Sequence, residues 1–531
     1  MIRKWTLGLL SGVFLLISTL SVYSCHTGML SVAAGVVPHH LLARPIIDDF
    51  FEELACQHPQ IETIILLSPD HFQSALSDRE THFITIDWVS GRELLDNVPI
   101  NKKMLRKLSK KLVIQQKQAT VALEFGITNL LPFIEKYLPE VKIVPLVVPA
   151  KISREQVERF VKYTDKIAPP GTLMVASVDF SHYLPPEAAF FHDARSIRVL
   201  LNLERKQFET LEVDSWQSLY AVRLFARLRD KEKPKMIAHD ISGSFLPMEL
   251  DETTSYYSVI FHDGRLEEKS LPAARYSVCE RPEESEDVET ILLAGDMMLD
   301  RGVEKLCRQN SVYYPFQKII QLLRGNDFIF TNLEGPIVAD PPVFGRHVLR
   351  FAADAEVLNG IQWSHINVLS LANNHIMDMG KAGFMETKDW LEQYDINGVG
   401  SLLSDCSEVD KNIFSTEQAV FLSFNHILPF WHDSEAILTA IAAAKKAYPG
   451  KLMIVSMHWG NEYEPVSSQG QQELAHRMID AGADLIVGHH PHVVQEIECY
   501  RNKLIFYSLG NFIFDQAFSK ETREGLAVGL A

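Results

Sequence analysis

The chain has no Cys-x-x-Cys pair, no excess of basic residues and, beyond its first 25 residues, no apolar run long enough to span a bilayer. Each absence excludes something. Its six cysteines, Cys25, Cys56, Cys279, Cys307, Cys406 and Cys499, follow no regular spacing. This argues against a disulfide framework or a zinc knuckle, and buried thiols are the expectation. With 51 Lys+Arg against 68 Asp+Glu the formal net charge is -17, which repels a phosphate backbone, so no nucleic acid is expected as partner. There is no internal repeat, and no low-complexity tract beyond one acidic linker.

What is present begins with a targeting-type segment over residues 1–25. Arg3 and Lys4 precede an apolar stretch from Leu7 to Leu20, the pattern of a secretory signal or membrane anchor. The stretch ends in Val22-Tyr23-Ser24-Cys25, which resembles a bacterial lipobox apart from the bulk of Tyr23. An exported, extracytoplasmic protein is expected, held at the cell membrane through this segment or as a lipoprotein. At 531 residues with 47% hydrophobic content, two domains are expected. The run Glu280-Arg281-Pro282-Glu283-Glu284-Ser285-Glu286-Asp287 cannot bury a core and marks a linker over 266–289. It divides a module at 30–265 from one at 290–531.

Both modules repeat one grammar, in which four to seven aliphatic or β-branched residues run into His, Asp, Asn or Ser. Continuous apolar runs suit strands buried on both faces, so the fold class is α/β. In such sheets ligands bind at the carboxyl ends of strands, where these polar clusters fall. A basic stretch, Lys102 to Leu112, places Leu105, Leu108 and Leu112 on one face of an amphipathic helix with a solvated outer face.

In the second module six clusters follow in order. They end in Asp296, in Asn332-Leu333-Glu334, in Asn373-Asn374-His375, in His458-Trp459-Gly460, in His489-His490-Pro491-His492 and in Asn511. A pair of divalent cations needs carboxylates to offset charge, imidazoles to fix geometry and an open position for water. Asp296, Glu334, Asn374, His458, His490 and His492 supply that chemistry. Trp459 reads as a packing residue, Asn511 as a turn former, and Asp378 and Glu462 as residues that orient a ligand imidazole.

The Gly295-Asp296 pair, Asn332-Leu333-Glu334, Ala372-Asn373-Asn374-His375 with Asp378 and Gly380, His458-Trp459-Gly460 with Glu462, and Gly488-His489-His490-Pro491-His492 resemble the signature of the CapA family of poly-γ-glutamate capsule proteins. The resemblance implies a calcineurin-like metallophosphatase α/β/β/α sandwich. It also implies that the six residues named hold manganese, zinc or iron, and that His375, with His458, acts in catalysis, His375 as acid or charge stabiliser at the leaving group. Asp296-Met297-Met298 lacks the imidazole that many metallophosphatases carry in this motif, which leaves the number of metals open. The last residues, Gly525 to Ala531, read as a strand cut short.

In the first module the clusters are Val37-Pro38-His39, Ser68-Pro69-Asp70-His71 and Ser177-Val178-Asp179-Phe180-Ser181-His182, with Glu124 between the last two. Together they resemble the Memo family, protein B of the AmmeMemoRadiSam system, similar in fold to class III extradiol dioxygenases. The resemblance implies one iron or other transition metal held by His39 and His71, with Asp214 standing where the family has a cysteine. The family's Glu-His-Ser segment reads Glu124-Phe125-Gly126 here, so a histidine suited to acid-base chemistry is absent. A metal-binding module is therefore expected in preference to a working dioxygenase. For the whole chain the expected partner is an acidic polymer such as poly-γ-glutamate, or a phosphoester. The readings are a metal-dependent hydrolase, a non-catalytic anchor or export factor for such a polymer, or an oxidative enzyme of the first module.

Overall fold

One eight-stranded sheet orders the first half of the chain in the computed structural model, which describes residues 31–531 except 58–59, 73–81, 86–93, 96, 247–251, 265–287, 343–348, 401–412 and 428–432. The targeting-type segment with Cys25, nearly all of the linker, Cys279 and Cys406 lie outside the described residues. The strands are β1 Val32–Val37, β2 Thr63–Pro69, β3 Phe83–Thr85, β4 Ile114–Gln116, β5 Lys142–Val148, β6 Thr172–Ser177, β7 Lys233–Ile241 and β8 Ser255–His262, in the spatial order β4-β3-β5-β2-β6-β1-β8-β7. Every residue of β1, β2 and β6 is buried, as continuous apolar runs require. These three strands and β5 run parallel, so His39, His71 and Asp179, each two residues past a strand, emerge at one edge of the sheet.

The basic stretch forms a helix, Lys102–Leu108, capped by the Asn101 side chain and burying Met104, Leu105 and Leu108. It stops before Leu112, which is half-buried just beyond it. The helices Pro186–Asn202 and Trp216–Leu228 follow the Asp179-His182 and Asp214 segments.

Among the described residues, two six-stranded sheets build the second half, from β9 Ile291–Met297, β10 Phe328–Leu333, β11 Val368–Ser370, β12 Asn397–Val399, β13 Phe414–Ser415, β14 Ala419–Asn425, β15 Leu452–His458, β16 Leu485–His489, β17 Ile497–Tyr500, β18 Lys503–Phe506, β19 Asn511–Ile513 and β20 Val528–Leu530. One sheet has the order β12-β11-β10-β9-β19, with β20 also paired to β9, and the other β13-β14-β15-β16-β18-β17. Ile291, Leu293, Phe330 and Val368 of the first sheet meet Phe421, Ile454, Val487 and Phe506 of the second in a shared core. Each such side chain contributes about 1.5–3 kcal/mol through burial. Separate apolar clusters lie under the helices of either outer face, giving an α/β/β/α sandwich. Among the described residues no helix is long and apolar enough to cross a membrane.

Two readings of the sequence are corrected. Cys307 is buried as expected, but Cys499 is exposed because it sits on the edge strand β17 and faces outward. The run from Ile505 to Phe512, read as one strand end, is a crossover: β18 belongs to the second sheet and β19 to the first. Gly510, with φ +69, makes the turn between them.

Candidate metal centres

In the second domain the crossover, and the register of the strands on either side of it, bring the donors together. Asp296 lies opposite Asn332 on one neighbour and Asn511 on the other, while His458 lies opposite His489. The close approach of the chains depends on glycines. A Cβ on Gly295 would lie 2.1 Å from the Gly510 carbonyl oxygen, and one on Gly488 would lie 1.8 Å from that of Tyr507.

Asp296 is fully buried and central. Its Oδ1 accepts a hydrogen bond from Asn332 Nδ2 at 2.8 Å and its Oδ2 accepts one from the His490 backbone N–H at 3.1 Å. His489 Nδ1 and His492 Nδ1 stand 3.4 and 3.3 Å from its two oxygens. Glu334 Oε1 lies 3.6 Å from His492 Nε2 and 4.0 Å from His375 Nε2. Asn374 Oδ1 is 2.7 Å from His458 Nε2, and the rings of His458 and His490 are 4.8 Å apart. His375 is fixed from behind, its Nδ1 2.8 Å from Asp378 Oδ2, under the ring of Phe351. The seven residues singled out in the sequence thus share one site.

Two donor triads have metal-like spacing there, Asp296-Glu334-His458 and Glu462-His490-His492. Glu462, read from the sequence as an orienting residue, is exposed and offers an oxygen directly to the second triad. His489 and Asn332, which the sequence reading does not assign to the site, also contact Asp296, and their signal is adjacency, since each lies in a motif beside residues read as donors. Asn511 does more than turn the chain, since its Oδ1 lies 3.0 Å from His492 Nδ1. Trp459 is a packing residue, fully buried and donating to the Tyr507 carbonyl.

The electrostatics suit cations. Burial, reinforced by the imidazole of His490, holds His458 well below its ordinary pKa, and burial lowers that of His490 to about 4. Both rings are neutral, as ligation requires. Burial opposes protonation of His492 too, but Glu334 and Asp296 outweigh it and raise its pKa to about 9. Burial raises Glu334 to about 7, with Asp296 adding to the effect. Glu334 Oε2 and His490 Nδ1 are buried without a hydrogen-bond partner. Such orphans cost about 1–3 kcal/mol each unless something meets them. The donors present fit divalent ions.

In the first domain His39 Nε2 lies 3.4 Å from both Asp179 Oδ2 and Asp214 Oδ2, and His71 Nε2 lies 3.7 Å from Asp214 Oδ2. His39, His71 and Asp214, the residues named from the sequence, form one triad of metal-like spacing. Glu124, fully buried, binds His71 Nδ1 at 2.6 Å and so turns its Nε2 toward Asp214. Burial opposes the His71 imidazolium, yet Asp214 and Glu124 raise its pKa to about 9. Phe125, at the position of the family's histidine, stacks on His71 with centroids 3.9 Å apart and leaves no titratable group at that point. Asp214 Oδ1 is buried and unpartnered, so this donor set fits a cation as well.

An α/β domain with a His-His-carboxylate pocket, followed by a two-sheet sandwich with a carboxylate-imidazole centre at its strand ends, defines a two-domain protein of Memo-like and metallophosphatase-like halves. Comparison with known proteins agrees. Residues 24–246 match the family model of Memo-like proteins, and residues 290–516 match that of the bacterial capsule synthesis protein PGA_cap. The chain is 34% identical over 268 residues to the PGA biosynthesis protein CapA of Bacillus subtilis, covering 46% of this chain and 68% of that one. It is 30% identical over 250 residues to the capsule biosynthesis protein CapA of Bacillus anthracis, covering 44% of this chain and 61% of that relative's length. A MEMO1 family protein of Caldivirga maquilingensis is 23% identical over 257 residues, covering 46% of this chain and 87% of that one. The chain belongs to the CapA family of capsule synthesis proteins and carries a Memo-like domain ahead of the family's own.

Proposed function

We propose that the C-terminal domain is a metal-dependent hydrolase that processes an acidic polymer of the poly-γ-glutamate kind, with a phosphoester as the other substrate its donors would serve. The N-terminal domain is a metal-binding module on the same exported, membrane-tethered chain. The observation that carries the reading is the gathering of Asp296, Glu334, His458, His490 and His492, with Glu334 Oε2 and His490 Nδ1 left unpartnered among them. Export is supported by Arg3 and Lys4 before the apolar stretch Leu7 to Leu20.

When bound, manganese, zinc or iron would supply Lewis acidity that activates water and polarises the scissile group. The chain's residues do the rest. Asp296 and Glu334 offset the charge of the cations, and Asn332 fixes Asp296 from behind. His458 and His490, kept neutral by burial, offer ring nitrogens. His375, whose Nδ1 is held by the Asp378 carboxylate, turns Nε2 toward Glu334, where it can exchange a proton with a leaving group. A polyanion meeting a chain of net charge -17 is repelled, so bound cations also make the encounter favourable.

The test is cleavage of poly-γ-glutamate and of a phosphodiester by the full chain and by its His458→Ala and His490→Ala variants, with metal content measured alongside. A hydrolase loses turnover and metal together in both variants. Wild-type protein that retains polymer without shortening it, and loses that retention on substitution, would be an anchor.

A further inference from the structure

The N-terminal pocket holds more donors than one ion uses. Beside His39-His71-Asp214 the structure gathers a second triad of metal-like spacing, Asp179-His182-Asp214, and the two meet at Asp214. Asp179 and His182 flank Phe180-Ser181 just past β6, and the buried Phe180 ring anchors the segment between them. Asp214 enters from the other side, ahead of the helix Trp216–Leu228, its Oδ2 accepting the Asp179 backbone N–H at 3.1 Å.

We infer that this pocket binds a pair of divalent transition ions bridged by the Asp214 carboxylate, one ion held by His39 and His71 and the other by Asp179 and His182. The inference rests on the metal-binding reading of this domain. Three observations carry it.

The first is the state of the bridge. Asp214 Oδ2 faces both imidazoles of the first triad, whereas Oδ1, on a side chain only 10% exposed, is buried with no hydrogen-bond partner. Oδ1 is thus the oxygen left over for a second ion, as a bridging carboxylate requires. The second is distance. Four donors about 2.1 Å from a tetrahedral ion lie about 3.4 Å from one another. His39 Nε2 stands 3.4 Å from Asp214 Oδ2 within its own triad and 3.4 Å from Asp179 Oδ2 of the other, so the two donor groups adjoin. The third is charge. Asp179 and Glu124 are buried and Asp214 is partly so, and the ion-pair partners of these three carboxylates are the imidazoles of His39 and His71. Ionised carboxylates taken out of water cost several kcal/mol each unless countered. One divalent ion leaves one of these negative charges uncompensated, which leaves room for a second cation. Nitrogen and oxygen donors without thiolate select manganese, iron(II), cobalt or zinc.

The experiment is elemental analysis of the full chain purified from metal-replete culture, comparing wild type with His71→Ala, His182→Gln and Asp214→Ala. Circular dichroism and melting temperature separate loss of a ligand from loss of the fold. The donors of the C-terminal domain are intact in all four proteins, so differences report on the N-terminal pocket alone. The expected result is one metal equivalent lost in His71→Ala, one in His182→Gln and two in Asp214→Ala. Electron paramagnetic resonance of the manganese-loaded chain should also show an exchange-coupled pair that His182→Gln abolishes. If His71→Ala and Asp214→Ala each lose one equivalent while His182→Gln keeps the full complement, the pocket is mononuclear, and the pair fails though the metal reading stands. No change in any variant overturns both.

Discussion

Asp378 shows how much of the C-terminal site depends on residues that offer nothing to a metal. Its Oδ2 lies 2.8 Å from His375 Nδ1 and accepts the Phe351 backbone N–H at 2.7 Å, which fixes both the imidazole and the ring that covers it. Asp378→Ala is expected to lower kcat roughly 10–100-fold, the usual cost of losing a partner that orients a site residue. Metal content should not change. Kinetics beside elemental analysis checks both, and a parallel loss of metal would make Asp378 a ligand instead. His490 and His492 carry a different cost: both are non-glycine residues with positive φ, 95 and 57. Such conformations cost about 1–3 kcal/mol each and persist where the surroundings fix them. Here Asp296 accepts the His490 N–H, and Asn511 meets the His492 ring.

At the scale of elements, the sheets place the donors, and glycines let the strands come close enough. Gly488 is the tightest case, because an added Cβ would meet the Tyr507 carbonyl at 1.8 Å and the Trp459 indole nitrogen at 2.7 Å. Neither is a flexible tip that could swing aside. Gly488→Ala is expected to destabilise the protein by about 3 kcal/mol, the upper end for overpacking, and to displace His489 and His490. A thermal melt with a metal assay reads both effects. This scale also shows what was legible in the sequence. The apolar runs ending in Asp296, Glu334, His458 and His490 gave their strands and donors, because a strand buried on both faces can be polar only where it leaves the core. Which sheet each strand joins was not legible. The run Ile505 to Phe512 reads as one segment because apolar character does not record a change of sheet, and the register that sets Asp296 beside Asn511 is a pairing between residues 215 positions apart. Asp179 and His182 were visible as letters in a motif. Their meeting with Asp214 was not, since the loop before the helix Trp216–Leu228 has no periodicity to place it.

At the scale of the whole molecule, the helix Pro186–Asn202 joins the two domains. It starts a few residues after His182, and its Arg195 and Arg198 bind Asp327 of the C-terminal domain, each at 2.8 Å, while Asp327 also accepts the Thr290 backbone N–H at the start of the sandwich. His192 on the same helix bonds the Leu322 carbonyl at 3.2 Å, and Gly325 packs against both His192 and Glu212. Two titratable groups at this seam are shifted in opposite senses: burial lowers His192 to about 4 and raises Glu212 to about 7. Between pH 4 and 6.5 the unfolded chain protonates His192 and the folded one does not, so this histidine makes stability rise with pH. Between pH 4.5 and 7 the folded chain keeps the Glu212 proton that the unfolded one loses, so the glutamate makes stability fall with pH. Each effect reaches about 1.4 kcal/mol per pH unit at its steepest. They oppose one another from about pH 4.5 to 6.5, the range given by the shifts of both groups. Their contributions at the seam should therefore cancel there in the native chain. Glu212→Gln removes the falling term, and stability should then climb with pH relative to wild type; His192→Gln removes the rising term, and it should fall. Melting curves of the three proteins at pH 5, 6 and 7 test this, and parallel pH profiles for all three would show that neither group titrates at the seam.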